Sequence, residues 1–408
     1  MSSASNAPAS AHLLLRARKR SIVASLAAIL ALGLLVAQTQ GPRMAALYVV
    51  GVALGLTLYH ASFGFTAAFR VLMADGRSAG VRAQMAMMAI AVALFFPALT
   101  AGQIFGQPVG GFVLPAGLSV AIGSFLFGIG MQLGGGCGSG TLFTVGGGST
   151  RMVLTLIFFI IGSLIGVAHL SYWEALPSLP PISIVESLGF APALALNLAI
   201  FGLVWLGARA IELRAHGKVA PIFARSEAPL GSVLLRGPWP LLAGAVLLAA
   251  LNFATLALAG RPWGITAAFA LWGAKTLQTL GVDVAQWASW SDDWSRNALA
   301  SSVLTDVTSV MDFGLILGAF AAAALAGKFK PVLSIPMGQI VASVIGGLLL
   351  GYGARISYGC NIGAFFSGVA SGSLHGWLWI LCALPGNWIG IALRPLFGMP
   401  VERTLRAC

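Results

Sequence analysis

Apolar residues in this chain come in long unbroken runs, separated by short polar or basic stretches, rather than in alternation or in one-sided stripes. A helix needs roughly 17 to 25 such residues to cross a bilayer core. Runs of about that length fall at residues 21–37, 45–61, 83–101, 112–133, 152–172, 191–208, 240–258, 313–326, 332–352 and 374–393. The pattern predicts an all-α polytopic membrane protein with about ten transmembrane spans. Residues 1–11 are small and polar, and are expected to be disordered. Arg16, Arg18, Lys19 and Arg20 precede the first run, and no A-x-A cleavage site follows it, which favours an uncleaved first span.

Two windows break the pattern. Residues 352–373 hold the core Tyr358-Gly-Cys-Asn-Ile-Gly363, and residues 128–149 hold Gly135-Gly-Cys-Gly-Ser-Gly140. Glycine and small polar residues crowd both windows too densely for an ordinary spanning helix, yet apolar runs flank them closely. They read as backbone that enters the membrane and turns back, which survives there only where protein or a water-filled cavity satisfies it. Placing Cys137 on Cys360 without gaps brings Gly128 onto Gly351, Gly130 onto Gly353, Gly136 onto Gly359, Gly140 onto Gly363 and Phe143 onto Phe366. A second pair lies earlier in each half, Phe63-Gly-Phe-Thr-Ala-Ala-Phe69 and Trp263-Gly-Ile-Thr-Ala-Ala-Phe269. Two motif pairs in the same order indicate an internal duplication.

Composition supports the membrane reading: 58% of the 408 residues are hydrophobic, 8% are charged and the mean hydropathy is +0.92. The net charge of +12 has no basic, aromatic-interleaved segment behind it, so nucleic acid is not an expected partner; the bilayer is. Apart from Arg43, Arg261, Lys275, Arg296 and Arg355, every lysine and arginine falls in a terminus or loop on one side of the ten-span arrangement. That side is the cytoplasm, and both termini lie there. The chain divides into a basic N-terminus (1–20), an extra first span (21–44), a first repeat (45–172), a linking span and polar loop (173–239), a second repeat (240–394) and a cytoplasmic tail (395–408). An odd span separates the repeats, so they are expected to be inverted, with paired re-entrant helices. Broken segments in corresponding positions are the best sequence pointer to a transport site.

The candidate chemistry is sparse. Of the four cysteines, Cys382 lies mid-span and Cys408 ends the sequence; none has metal-ligand or disulfide spacing. Cys137 and Cys360 stand apart because they occupy equivalent points of the two breaks. With Gly136, Gly138, Gly359 and Asn361 around them, they suit a polarizable sulfur-containing anion near helix starts. Arg355 precedes Cys360 by five residues and Gln132 takes the same place before Cys137, as a gathering charge and its counterpart. Arg70 and Lys275 follow the two Thr-Ala-Ala-Phe segments, to snorkel or to gather an anion. No Asp or Glu falls in the apolar runs as drawn, which disfavours proton coupling. No P-loop, dinucleotide fingerprint or Ser-His-Asp set is present, so no cofactor, metal or enzymatic activity is expected. Residues 281–312, with Trp287, Trp290 and Trp294, lack a counterpart in the first half and are expected to form an amphipathic helix at the outer interface.

The Gly-Cys-Asn-Ile-Gly core, its Gly-Gly-Cys-Gly-Ser-Gly-Thr-Leu-Phe partner and the Thr-Ala-Ala-Phe segments resemble the YeeE/YedE family of sulfur-transport membrane proteins, over nearly all of residues 45–393. The resemblance implies an hourglass-shaped, inverted-repeat protein of the bacterial inner membrane that imports thiosulfate along a line of cysteines, to which Cys137 and Cys360 correspond. Family members often carry a further cysteine near the entrance of the first repeat, where Phe63-Gly-Phe has none; the span at 21–37 looks like an addition to the family core. The leading alternative is a membrane sulfurtransferase, in which one cysteine holds a persulfide for a cytoplasmic sulfur-carrier protein. A structural membrane subunit is a third.

Overall fold

A computed structural model describes residues 7–223, 228–290 and 293–402 of the chain. Residues 1–6, Arg225, Asp292, Arg403, Arg406 and Cys408 lie outside the described residues. Among the described residues the chain is mostly helical, with two antiparallel ribbons of two-residue strands, β1 (Gln103–Ile104) with β2 (Gln107–Pro108) and β3 (Ala116–Gly117) with β4 (Ser178–Leu179).

The main helices in chain order are α1 (Ala7–Gln40), α2 (Pro42–His60), α3 (Phe65–Asp75), α4 (Ala79–Ala101), α5 (Leu118–Gly134), α6 (Gly138–Gly146) and α7 (Thr150–Ala168). They are followed by α8 (Phe190–His216), α9 (Leu241–Ala259), α10 (Thr266–Thr279), α11 (Val307–Ala326), α12 (Met337–Ile356), α13 (Asn361–Ala370) and α14 (Leu374–Leu393). Among the described residues, ten segments are long and apolar enough to span a bilayer, one for each predicted run. The protein is a multi-pass membrane protein.

Close backbone approach organises the centre. In α2, a side chain at Gly51 or Gly55 would overlap the carbonyls of Met311 or Leu315 on α11, and Gly318 of α11 leaves no room for a Cβ beside Val52. Small residues let apolar helices gain dispersion contact where burial from water offers nothing. α12 packs against α5 and α7, α14 against α5, and α9 against α2 and α4. α1 and α8 are the least buried of the spans and carry exposed Leu26, Leu30, Leu34, Leu203 and Leu206, so they form the lipid-facing margin.

Several expectations need correction. α1 already includes residues 7–11, which were expected to be disordered. The predicted span at 332–352 begins as helix only at Met337, because Pro336 at its N-cap holds an extended ψ of 140°. α11 begins at Val307, ahead of the apolar run, because the Asp306 carboxylate accepts from the Ser309 amide at 2.7 Å and caps it. Asp312 therefore lies inside a spanning helix, fully buried, and Glu212 lies inside α8. The membrane helices do contain acids.

Residues 281–312 do not form one amphipathic helix. Turns at Val284–Gln286, Ala288–Trp290 and Val303–Thr305 flank a short helix, Asp293–Ala300. Trp290 is buried with Val167, Ala270 and Leu271, and Lys275 donates to the Leu299 and Ser301 carbonyls at 2.7 and 2.6 Å. Tertiary contacts with α7 and α10 broke the segment up.

Candidate functional site

The two glycine-rich breaks build the same local structure. α5 ends at Gly135, whose φ of 94° would strain any other residue, and whose amide closes on the Met131 carbonyl at 3.1 Å. The chain then runs extended through Cys137 (φ −83°, ψ −167°) into α6, and the Thr141 amide closes on the Cys137 carbonyl at 2.8 Å. α12 ends in the same manner. The Gly359 amide donates to the Ala354 carbonyl at 2.8 Å, Tyr358 is held at φ 61°, and Cys360 is extended (φ −109°, ψ −167°) before α13. Non-glycine residues at positive φ cost about 1 to 3 kcal/mol and persist where surrounding structure enforces them. Asn361–Ser367 winds as a π-helix, with the Ala364 and Phe365 amides sharing the Cys360 carbonyl at 2.9 and 3.3 Å.

Each cysteine thus occupies the N-cap position of a short buried helix, where free amides and the helix dipole favour negative charge. The Cys360 sulfur accepts from the Ile362 amide at 3.4 Å, and the Cys137 sulfur lies 3.4 Å from the Ser139 hydroxyl. Both thiols are free and almost completely buried, with 1% and 0% exposure. A Cβ at Gly138 would sit 2.9 Å from the Cys360 sulfur, so that sulfur presses on the residue next to Cys137. The starts of α6 and α13 converge.

Side chains ahead of α3 and α10 close around this point. Ile265 lies 3.5 Å from the same Gly138 position, and Phe65 meets Phe365 edge-on with ring centroids 6.3 Å apart. Asn252 fixes the approach to α10. Its Oδ1 accepts from the Trp263 amide at 2.9 Å, its Nδ2 donates to the Ser367 hydroxyl at 3.2 Å, and that hydroxyl donates to the Trp263 carbonyl at 2.7 Å.

Near the cysteines, buried side-chain polar atoms of Asn361 and Thr141 have no hydrogen-bond partner among the described residues. Asn361 leaves both its amide nitrogen and its carbonyl oxygen unpaired, and Thr141 its hydroxyl. Such groups cost about 1 to 3 kcal/mol each unless something polar satisfies them. The Asn361 amide nitrogen and the Thr141 hydroxyl are thus two donors open to an anion.

The structure brings together Cys137, Gly138, Cys360 and Asn361, with Gly136 and Gly359 packed just behind. A Cβ at Gly359 would lie 2.7 Å from the Ala364 amide, and one at Gly136 would lie 3.0 Å from the Thr141 amide. Arg355 and Gln132 do not join them. Arg355 packs its Cβ against Gly166 of α7, and its buried Nε has no hydrogen-bond partner among the described residues. Gln132 donates to Asn387 Oδ1 at 2.7 Å and to the Thr66 carbonyl at 3.1 Å.

Gln132 belongs to a second polar cluster, where the C-terminal segment folds back on the bundle. Arg394 donates to the Gln132 and Pro400 carbonyls, and Arg70 forms a two-pronged pair with Glu402, both bonds at 2.7 Å. The Arg70 guanidinium holds the Glu402 carboxyl down from its ordinary 4.5 to about 2. Arg70 and Lys275 thus both have protein partners. Neither pairing was legible in the sequence, nor were Ile265 and Thr141 beside the cysteine-bearing breaks and Asn252 as the tie between Trp263 and Ser367; helix ends signal capping, but not which loops will converge.

Comparison with known proteins adds direct relationships. A family described as Sulphur transport matches residues 60–389. The chain is 36% identical over 147 residues to "Probable transporter YedE" of Salmonella typhimurium, an alignment that spans 36% of each chain, so it covers about a third of that relative's length. It is 29% identical over 356 residues to "Thiosulfate transporter TsuA" of Spirochaeta thermophila, spanning 83% of this chain and 95% of that one. A protein of the same name from Escherichia coli is 23% identical over 349 residues, spanning 83% of this chain and 91% of the relative.

Proposed function

The chain belongs to the sulphur transport family, and we propose that it carries thiosulfate, or a closely related small sulfur-containing anion, inward across the bacterial inner membrane past Cys137 and Cys360. One observation carries this reading. Two free, buried thiols stand at the starts of two short helices that converge on one point. Thiosulfate offers oxygens to N–H and O–H donors and a polarizable sulfur to S–H groups, which are weak donors. The helix starts favour its charge, and Asn361 and Thr141 supply donors that have no partner among the described residues. Two relatives that align over most of this chain are named thiosulfate transporters.

The pathway is built, in this reading, from two inverted repeats whose short helices are re-entrant, with both termini cytoplasmic. What supports the repeat is an exchange of contacts. The offset that carries Cys137 onto Cys360 also carries Gly123, Phe127 and Gly130 onto Gly346, Leu350 and Gly353. Gly130 faces the Gly346 carbonyl and Leu350 amide, while Gly353 faces the Gly123 carbonyl and Phe127 amide. Similarly, α7 packs on α12 as α14 packs on α5.

Uptake of radiolabelled thiosulfate into proteoliposomes tests the proposal. Wild-type protein should accumulate label, and Cys137→Ala and Cys360→Ala should each abolish uptake while purifying as monodisperse, folded protein. Normal uptake by both variants would end it.

A further inference from the structure

Asp312 is the buried acid that the sequence pattern hid. It has 0% exposure, and neither carboxylate oxygen has a hydrogen-bond partner among the described residues. Glu212, by contrast, an acid within α8, is bonded to Ser78, Arg82 and the Ala220 amide. An ionised carboxylate without a partner in such surroundings is expensive, so the neutral, protonated form is the one this site accommodates.

Its position matters as much as its isolation. Asp312, Ile316 and Ala319 lie along one stripe of α11, and Ile316 and Ala319 pack against Gly146 at the far end of α6. α11 packs along α6, so one turn from Ile316 Asp312 lies on the stripe turned toward the helix that starts at Cys137. On the flanking stripe, Ser309 accepts from Trp272 of α10 and Phe313 stacks on the same ring.

The other titratable and charged groups on elements packed around α11 are committed elsewhere. Asp306 caps the helix through Ser309; Arg261 donates to the Thr308 hydroxyl at 3.0 Å; Lys275 holds two carbonyls; Tyr48 of α2 donates to the Ile29 carbonyl; and Arg18 of α1 donates to the Leu325 carbonyl. Arg43 of α2 donates to the Leu258 carbonyl, Tyr59 and His60 stand at the far end of α2 with His60 against the Trp239 ring, and Lys19, Arg20 and Arg236 are exposed.

We propose that Asp312 carries the coupling proton: the anion passes the cysteines only while this carboxyl is protonated, and the two cross together. The inference rests on the transport reading above. An ionised Asp312 repels an anion at Cys360, and an anion there in turn favours protonation of Asp312, so each raises the affinity for the other. No bond is made or broken except that of the proton to the Asp312 oxygen, taken up from one side and released to the other.

Proteoliposomes with the membrane potential clamped and an outside-acidic gradient decide it, with labelled thiosulfate as the probe. One proton per anion permits roughly tenfold accumulation per pH unit. Asp312→Asn should lose that accumulation while isotope exchange across the bilayer continues at a measurable rate, and Asp312→Glu should respond to the gradient again. Thiosulfate flux in the wild type without gradient-driven accumulation, or accumulation driven by sodium alone, overturns proton coupling and leaves transport standing. A full gradient response in Asp312→Asn overturns the assignment to this residue. Absence of any flux in the wild type overturns the transport reading and this inference with it.

Discussion

The sulfur of Cys360 rests against the α-carbon of Gly138, so closely that a single added methyl group would stand 2.9 Å from it. Gly138 follows Cys137 directly, and this contact joins the two halves of the chain at the thiols.

Gly138→Ala should therefore act on the site more than on the fold. Relief of the overlap requires the Cys360 side chain or the start of α6 to shift, at about 1 to 3 kcal/mol for an overpacked core. Thiosulfate uptake per folded molecule is expected to fall at least tenfold, with a monodisperse elution profile retained. Unchanged uptake would show that the contact is incidental.

Asn252→Ala removes the group that ties Trp263 to Ser367. The buried Trp263 amide is left unpaired, which costs about 1 to 3 kcal/mol. The loss should appear as a lowered midpoint in thermal unfolding in detergent, with uptake reduced because Ile265 is no longer fixed beside the cysteines.

Glycines on two faces of the bundle should respond oppositely. A methyl at Gly318 would overlap the Val52 carbonyl and force α2 and α11 apart, so Gly318→Ala is expected to destabilise by about 3 kcal/mol or more. Gly202, within α8, has nothing within 4 Å of its added methyl, and Ala there should stabilise by about 0.5 to 1 kcal/mol. Thermal midpoints of the two variants, measured side by side, check the contrast.

The pair between Arg70 and Glu402 has a defined pH window. Because the folded-state carboxyl is depressed, its contribution is whole above its ordinary 4.5 and is lost as pH falls through about 2. Glu402 is 38% exposed, so solvent screening limits the effect to about 1 kcal/mol or less. The difference in thermal midpoint between wild type and Glu402→Gln should be constant at neutral and mildly acidic pH and close as pH 2 is approached.

Run length and hydropathy made all ten spans legible, and the paired glycine windows pointed to the cysteine-bearing breaks. Asp312 was missed for a definite reason: it stands immediately before the apolar run starting at Phe313, and only the Asp306 cap shows that the helix begins a turn and a half earlier. The stretch 281–312 was misread because Trp287 and Trp290 suit a membrane interface and a protein core equally well, and packing on α7 and α10 decides between them. Gln132 matched Arg355 by register, yet register within a repeat says nothing about partners supplied from the distant C-terminal segment. Pairings between residues hundreds of positions apart leave no periodic trace.

The glycine crossings set a limit on how the molecule works. Where α2 meets α11 and α5 meets α12, main chain lies on main chain, so sliding either pair by one turn would bring a bulky residue into a place that admits only hydrogen. The walls are a fixed frame. If the proposed transport is right, any opening past the buried thiols is left to the Phe65 and Ile265 side chains and the π-helical turn after Cys360, much as a valve moves its leaflets and not its housing.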